Sequence, residues 1–125
     1  MAGEQILVVE DNEKNMKLVR DVLVATGYRT LEAATGDQAV ELAAEHSPDL
    51  VLMDIQLPDV DGVNVLGRLR ADERTARIPV LAVTAQAMHG DRERFLAAGF
   101  DGYVSKPLNI REFIGIVRHH CDGRA

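Results

Sequence analysis

Three short runs in this chain, Ile6-Leu7-Val8-Val9, Leu50-Val51-Leu52-Met53 and Val80-Leu81-Ala82-Val83, are apolar at every position. A strand with one face in water alternates polar and apolar side chains, so an unbroken run is what burial of both faces by helices requires. Each run is four residues long and ends at a polar or charged residue, too short for a helix. The runs therefore read as inner strands of a parallel sheet. Two more polar segments, Arg29-Thr30-Leu31-Glu32-Ala33 and Gly102-Tyr103-Val104-Ser105, fit its edges.

The stretches between the runs carry a helical period. From Asn12 to Thr26, the positions Asn15, Leu18, Val19, Val22 and Leu23 follow one stripe, and Gly27 then supplies a stop. On this phase Met16 lies about 100° off the buried stripe and is expected to be exposed. A second helix is expected over residues 37 to 46, closed by Ser47-Pro48, and a third carries Val63, Val65, Leu66 and Leu69 after the turn-forming Asp61-Gly62. Residues 91 to 98, with Phe95, Leu96 and Ala98, and residues 110 to 120, with Ile110, Phe113, Ile114 and Val117, supply two more. Strands alternating with helices of this length imply parallel neighbours joined by helical crossovers, hence a doubly wound (βα)5 sandwich and not an α+β domain.

At 125 residues the chain has the size of one domain, and no linker, repeat or low-complexity block divides it. The formal net charge of -6 argues against direct nucleic-acid binding as the main activity. The beginning of the chain lacks the pattern of a signal peptide, and no apolar run approaches the ~18–20 residues a membrane span needs. A cytoplasmic protein with no membrane association is the expectation. Cys121 is the single cysteine, so no disulfide or cysteine metal cluster can form within the chain. His46, His89 and the adjoining pair His119-His120 suit surface or helix-end roles.

Five polar residues, Glu10, Asp11, Asp54, Thr84 and Lys106, lie at the ends of the strand runs. In an open parallel sheet the carboxyl ends of the strands share one edge, which brings such residues together. Carboxylates, a hydroxyl and an ammonium suit a hard cation and a phosphoryl group.

The segments Val9-Glu10-Asp11-Asn12, Leu52 to Gly62, Val83-Thr84-Ala85 and Ser105-Lys106-Pro107 together resemble the receiver domain of two-component response regulators. The stretch Glu10 to Leu18 and the pair Gln56-Leu57 are similar to DivK-type single-domain regulators, whereas Ala87 to Glu93 also resembles receivers appended to hybrid kinases. The resemblance covers essentially the whole chain. It implies the flavodoxin-like strand order 2-1-3-4-5 and a single receiver domain over residues 1–125 without an effector domain. It further implies a signalling phosphoacceptor that catalyses its own phosphorylation and dephosphorylation, and not an enzyme with an external substrate.

Beside this, Asp54 ends a central strand, where a carboxylate can attack phosphorus and hold the product as an aspartyl phosphate. A cap or surface role fits less well, because Asp54 follows a buried run and precedes Pro58 and Gly62 in a loop. Carboxylates clustered this closely repel one another, and Mg²⁺, which takes oxygen ligands and keeps waters, would relieve that; Ca²⁺ is the alternative. The resemblance implies Asp11 and Asp54 as direct ligands, Glu10 acting through water, and the Gln56 carbonyl completing the protein share. Thr84 and Lys106 would neutralise charge on the transferring oxygens. Singly they also fit an ordinary strand residue and a surface charge.

Tyr103 matches the family's switch aromatic, responding with Thr84 to phosphorylation, and it equally fits an edge tyrosine packed on the fourth helix. The output face would be the fourth helix, fifth strand and fifth helix, bound by a separate downstream protein. Met16, Pro107 and Leu108 are expected to form the docking rim for a histidine kinase or histidine phosphotransfer protein; packing beneath the Pro107 loop is the other reading of Leu108. Gln56 and Gln86 occupy positions that in the family influence how water reaches the phosphoryl group.

Three other functions compete. An aspartate-nucleophile phosphatase or dehalogenase needs a second acid two residues after Asp54, where Gln56 stands. A flavodoxin-like carrier needs a phosphate-cradling loop after the first strand, where Glu10-Asp11 would repel a flavin phosphate. A phosphorylation-independent docking module is compatible with the same residues.

Overall fold

The computed structural model describes residues 3–55, 62–84, 91–105 and 109–122. Its elements run β1 (Gln5–Val9), α1 (Glu13–Thr26), β2 (Arg29–Ala33), α2 (Gly36–His46), β3 (Leu50–Asp54), α3 (Gly62–Ala71), β4 (Val80–Thr84), α4 (Asp91–Ala98), β5 (Gly102–Ser105) and α5 (Ile110–Asp122). The strands form one parallel sheet in the order β2-β1-β3-β4-β5, so the apolar runs are inner strands and the more polar segments are the edges. This is the doubly wound sandwich expected from the alternation of periods.

The side-chain alternation of the strands divides the core in two. Leu7, Val9, Val51, Met53, Val80 and Ala82 face α2, α3 and α4, packing with Ala39, Val65, Leu66, Leu69 and Phe95. Ile6, Val8, Leu50, Leu52, Leu81 and Val83 face α1 and α5, packing with Met16, Val19, Leu23, Phe113 and Val117. Both faces of β1, β3 and β4 are thus covered, the reason their sequences show no alternation.

Local chemistry sets the helix ends. The Asn12 side chain accepts a hydrogen bond from the Asn15 amide at 3.0 Å, and Thr35 does the same for Gln38 at 3.2 Å, satisfying amides at the starts of α1 and α2. Gly27 and Ser47 close the same helices in left-handed conformations. Ser47-Pro48 is the stop expected there.

The phase of α1 differs from expectation. Met16, Val19 and Leu23 are the buried positions, whereas Leu18 is 43% exposed. Met16 is therefore part of the core, against the exposure expected of it, although it also lines the cavity beside Glu10 and Asp11. Val63, Leu96 and Ile110, each placed among the apolar marks of its helix, are likewise exposed. Periodicity fixes the spacing of a stripe; which of two adjacent apolar residues faces the sheet is decided by how the helix rolls onto it. Among the described residues no helix is long and apolar enough to cross a membrane.

Candidate functional site

The β1 strand leaves the sheet at Val9, and the next two residues are the acids Glu10 and Asp11. The Glu10 amide still donates to the Ala33 carbonyl of β2 at 2.9 Å, so the chain is held to the sheet up to this point. The Glu10 side chain then accepts from the Asn12 amide at 3.1 Å, folding the carboxylate back over the start of α1. β3, paired on one side with β1 and on the other with β4, ends at Asp54 opposite Val83. The Ile55 amide donates to the Val83 carbonyl at 3.1 Å, which extends the β3–β4 pairing one residue past Asp54.

Carboxylate oxygens of Glu10, Asp11 and Asp54 consequently lie within 4.8 Å of one another. Glu10 and Asp54 are buried, at 5% and 6% exposure, while Asp11 faces solvent. Like charges this close raise each other's energy, and burial of carboxylates is tolerated when they are hydrogen-bonded, paired or coordinated. The donor set fits Mg²⁺: hard oxygens only, with one exposed carboxylate leaving room for waters.

Thr84 is the last residue of β4 and is 4% exposed, one position beyond the partner of Asp54. It pairs with Ser105 of β5, and Ala82 pairs with Tyr103, so Thr84 and Tyr103 lie on the same face of adjacent strands. Tyr103 is half-buried against the core under α4, its ring centroid 6.0 Å from that of Phe95 at an interplanar angle of 45°. Lys106, Gln56, Pro107, Leu108 and Gln86 lie outside the described residues.

A residue with no chemical function of its own also shapes the site. Gly62, the first residue of α3, donates its amide to the Ile55 carbonyl at 3.0 Å. A Cβ at Gly62 would lie 3.0 Å from the Asp54 carbonyl oxygen and 3.1 Å from the Ile55 Cα. The backbone carrying Asp54 thus rests directly on the start of α3. Asp61-Gly62 signals a turn in the sequence, but the close approach of Gly62 to the end of β3 is a tertiary contact that no local pattern reports.

The sequence pattern of the response regulator receiver domain matches residues 6–118. The chain belongs to the response regulator receiver family. Among curated relatives, this receiver is 49% identical over 117 residues to the polar-differentiation response regulator DivK of Brucella ovis, covering 94% of this chain and 95% of that protein. The corresponding DivK of Brucella anthropi is 48% identical over the same length. Among solved structures, the receiver domain of a sensor histidine kinase from Pseudomonas aeruginosa, described with a magnesium ion coordinated in its active-site cleft, superposes with a TM-score of 0.88 at 40% identity, covering 97% of this chain and 99% of that one. A Francisella response regulator receiver domain gives a TM-score of 0.90 at 25% identity, with 98% and 100% coverage. The receiver is thus a component of two-component signalling, with a phosphodonor protein on one side and a downstream target on the other.

Proposed function

We propose that the receiver takes a phosphoryl group from a phosphohistidine protein onto Asp54, with Mg²⁺ held at the acidic cluster, and reports the change through the α4-β5-α5 face to a separate protein. The observation that carries this reading is the convergence of Glu10, Asp11 and Asp54 within 4.8 Å at the end of the central strand. In the transfer, an Asp54 carboxylate oxygen forms a bond to phosphorus, the phosphorus–nitrogen bond breaks, and its electron pair stays on the departing imidazole. Asp11 and Asp54 would hold the cation directly and Glu10 through water, with the Gln56 carbonyl as the remaining protein ligand. Bound there, the cation neutralises charge on the transferring oxygens.

The chain's own residues do the rest. Buried Asp54 is presented as the nucleophile by the β3–β4 pairing, and the Thr84 hydroxyl, on the neighbouring strand, donates to the phosphoryl group; the Lys106 ammonium adds positive charge. Movement of Thr84 toward the new group frees space on the face it shares with Tyr103, which can then turn inward over Phe95. On this reading the chain is a cytoplasmic phosphoacceptor and not an enzyme with an external substrate.

The donor must reach Asp54 from the carboxyl edge of the sheet. Leu18, in the second turn of α1, and Ile110, the first residue of α5, are 43% and 50% exposed, and helices that follow parallel strands begin at that edge. With Met16 buried, they are the exposed apolar residues that a donor would meet on these two helices. Incubation with a radiolabelled, autophosphorylated histidine kinase of a DivK-type pathway tests the reading: label should pass to the parent chain, not to Asp54→Asn, and about tenfold more slowly to Leu18→Ser, equivalent to roughly 1.4 kcal/mol of lost docking. Equal labelling of Asp54→Asn would overturn the acceptor assignment.

A further inference from the structure

The face assigned to output contains a groove of about 450 Å³ whose walls include Leu96 of α4, Tyr103 of β5, and Ile116 and His120 of α5. His120 sits in the last turns of α5 and is half-buried, whereas its neighbour His119 is exposed. The two imidazole rings meet edge to face, with centroids 5.2 Å apart.

Gly102, the first residue of β5, makes room for this ring. A Cβ there would lie 3.2 Å from His120 Nε2 and 3.2 Å from Leu81 Cδ2, tighter than ordinary contact. His120 therefore lies directly on the strand that carries Tyr103. We propose that His120 is a proton-sensitive latch of the α4-β5-α5 groove, lying on β5 at Gly102 as a neutral ring and leaving the strand when protonated, so that proton concentration alters the face offered to the downstream protein. The inference rests on the assignment of that face to output and adds a regulation of it.

The surrounding charges favour this behaviour. Burial, and then the neighbouring His119, hold the His120 pKa below its ordinary value of 6.5, while Asp101 opposes them. The pull of Asp101 on an imidazolium is shared: Arg70 of α3 donates to its Oδ2 at 2.9 Å and the Val80 amide to the same oxygen at 2.8 Å. Glu112 is on the groove wall contributed by α5, α4 contributes the apolar Leu96, and β5 contributes Gly102, Tyr103, Val104 and Ser105, none of them an acid. The proton thus binds the displaced ring more tightly than the packed one. By linkage, a partner that requires the packed ring must expel the proton, and its affinity falls as pH falls.

A nuclear magnetic resonance titration of the full chain tests the latch without any phosphoryl group, so its outcome is independent of the labelling result. The His120 ring and the amides of Gly102, Tyr103 and Ser105 should titrate together with one midpoint below 6.5. In His120→Gln the pH dependence of those amides should disappear while β1 and β3 resonances are retained. In Gly102→Ala, where the new Cβ displaces the ring, the His120 midpoint should move up toward its ordinary value and the β5 shifts at neutral pH should approach those of the parent at low pH. Persistence of the β5 titration in His120→Gln, or a His120 midpoint unmoved by Gly102→Ala, would overturn the latch.

Discussion

Asp11 is the exposed member of an acidic trio whose other two side chains are buried, so it can be neutralised with little change in packing. In Asp11→Asn the repulsion with Glu10 and Asp54 is reduced, a gain on the order of 1 kcal/mol for charges separated by several ångströms near water. Thermal unfolding in chelator should therefore show the variant a few degrees more stable than the parent. Addition of Mg²⁺ should reverse the order, because a ligand that binds only the folded state stabilises in proportion to its affinity, and the variant lacks one carboxylate ligand. A variant less stable than the parent in chelator would contradict the clustering argument. At this scale the sequence was most informative where chemistry is tied to a strand end: Glu10, Asp11, Asp54 and Thr84 all lie where the apolar runs stop. It was least informative for Met16 and Leu18, two apolar residues on one helix whose exposure depends on the roll of α1 against β1 and β3.

The path from β3 into α3 depends on a contact between elements. Because Gly62 touches the backbone of Asp54 and Ile55, Gly62→Ala must separate the start of α3 from the end of β3 by a few tenths of an ångström or more. Overpacking of this kind costs roughly 1–3 kcal/mol. The variant should melt several degrees lower and, while still folded at 25 °C, accept phosphoryl groups more slowly because the backbone carrying Asp54, the proposed nucleophile, has shifted. Unchanged stability and labelling would contradict the tightness of this contact. The sequence carries only a turn signal here, since the approach of Gly62 to Asp54 and Ile55 is a tertiary contact that no local pattern describes. The strands were legible for the opposite reason: their texture reports directly how many faces are covered. The helix ends at Asn12, Gly27 and Ser47 were legible because capping is a local interaction.

Across the whole molecule, titratable contacts predict the pH dependence of stability. His120 is held below its ordinary value of 6.5 in the folded chain, so the unfolded chain binds more protons as the solution becomes acidic. Stability from this group is complete above about pH 6.5 and declines as pH falls toward the lowered value. A second decline begins near the ordinary carboxylate value of 3.8, since Asp21 is lowered first by its hydrogen bond from Lys17, and Asp72 first by its hydrogen bond from Arg74. Both depressed carboxylates lend stability above 3.8 that is lost as pH passes through their folded values. Lys17, Asp21 and Arg74 of these pairs face solvent and Asp72 is partly exposed, so salt should flatten the second decline more than the first. Denaturant midpoints between pH 4 and pH 7 should show the first decline in the parent and not in His120→Gln; an identical slope in both would remove His120 from the account.

The central claim, that buried Asp54 is a cation-assisted phosphoryl acceptor, is tested most directly by intact-protein mass spectrometry after incubation with acetyl phosphate. With Mg²⁺ the parent chain should gain about 80 Da, one phosphoryl group. Neither the parent in chelator nor Asp54→Asn should gain it. The same mass on Asp54→Asn, or on the parent without a divalent cation, would contradict the claim. No gain in any sample, with Mg²⁺ binding established, would also count against acceptance from a small donor and leave the acidic edge as a docking surface that works without phosphate.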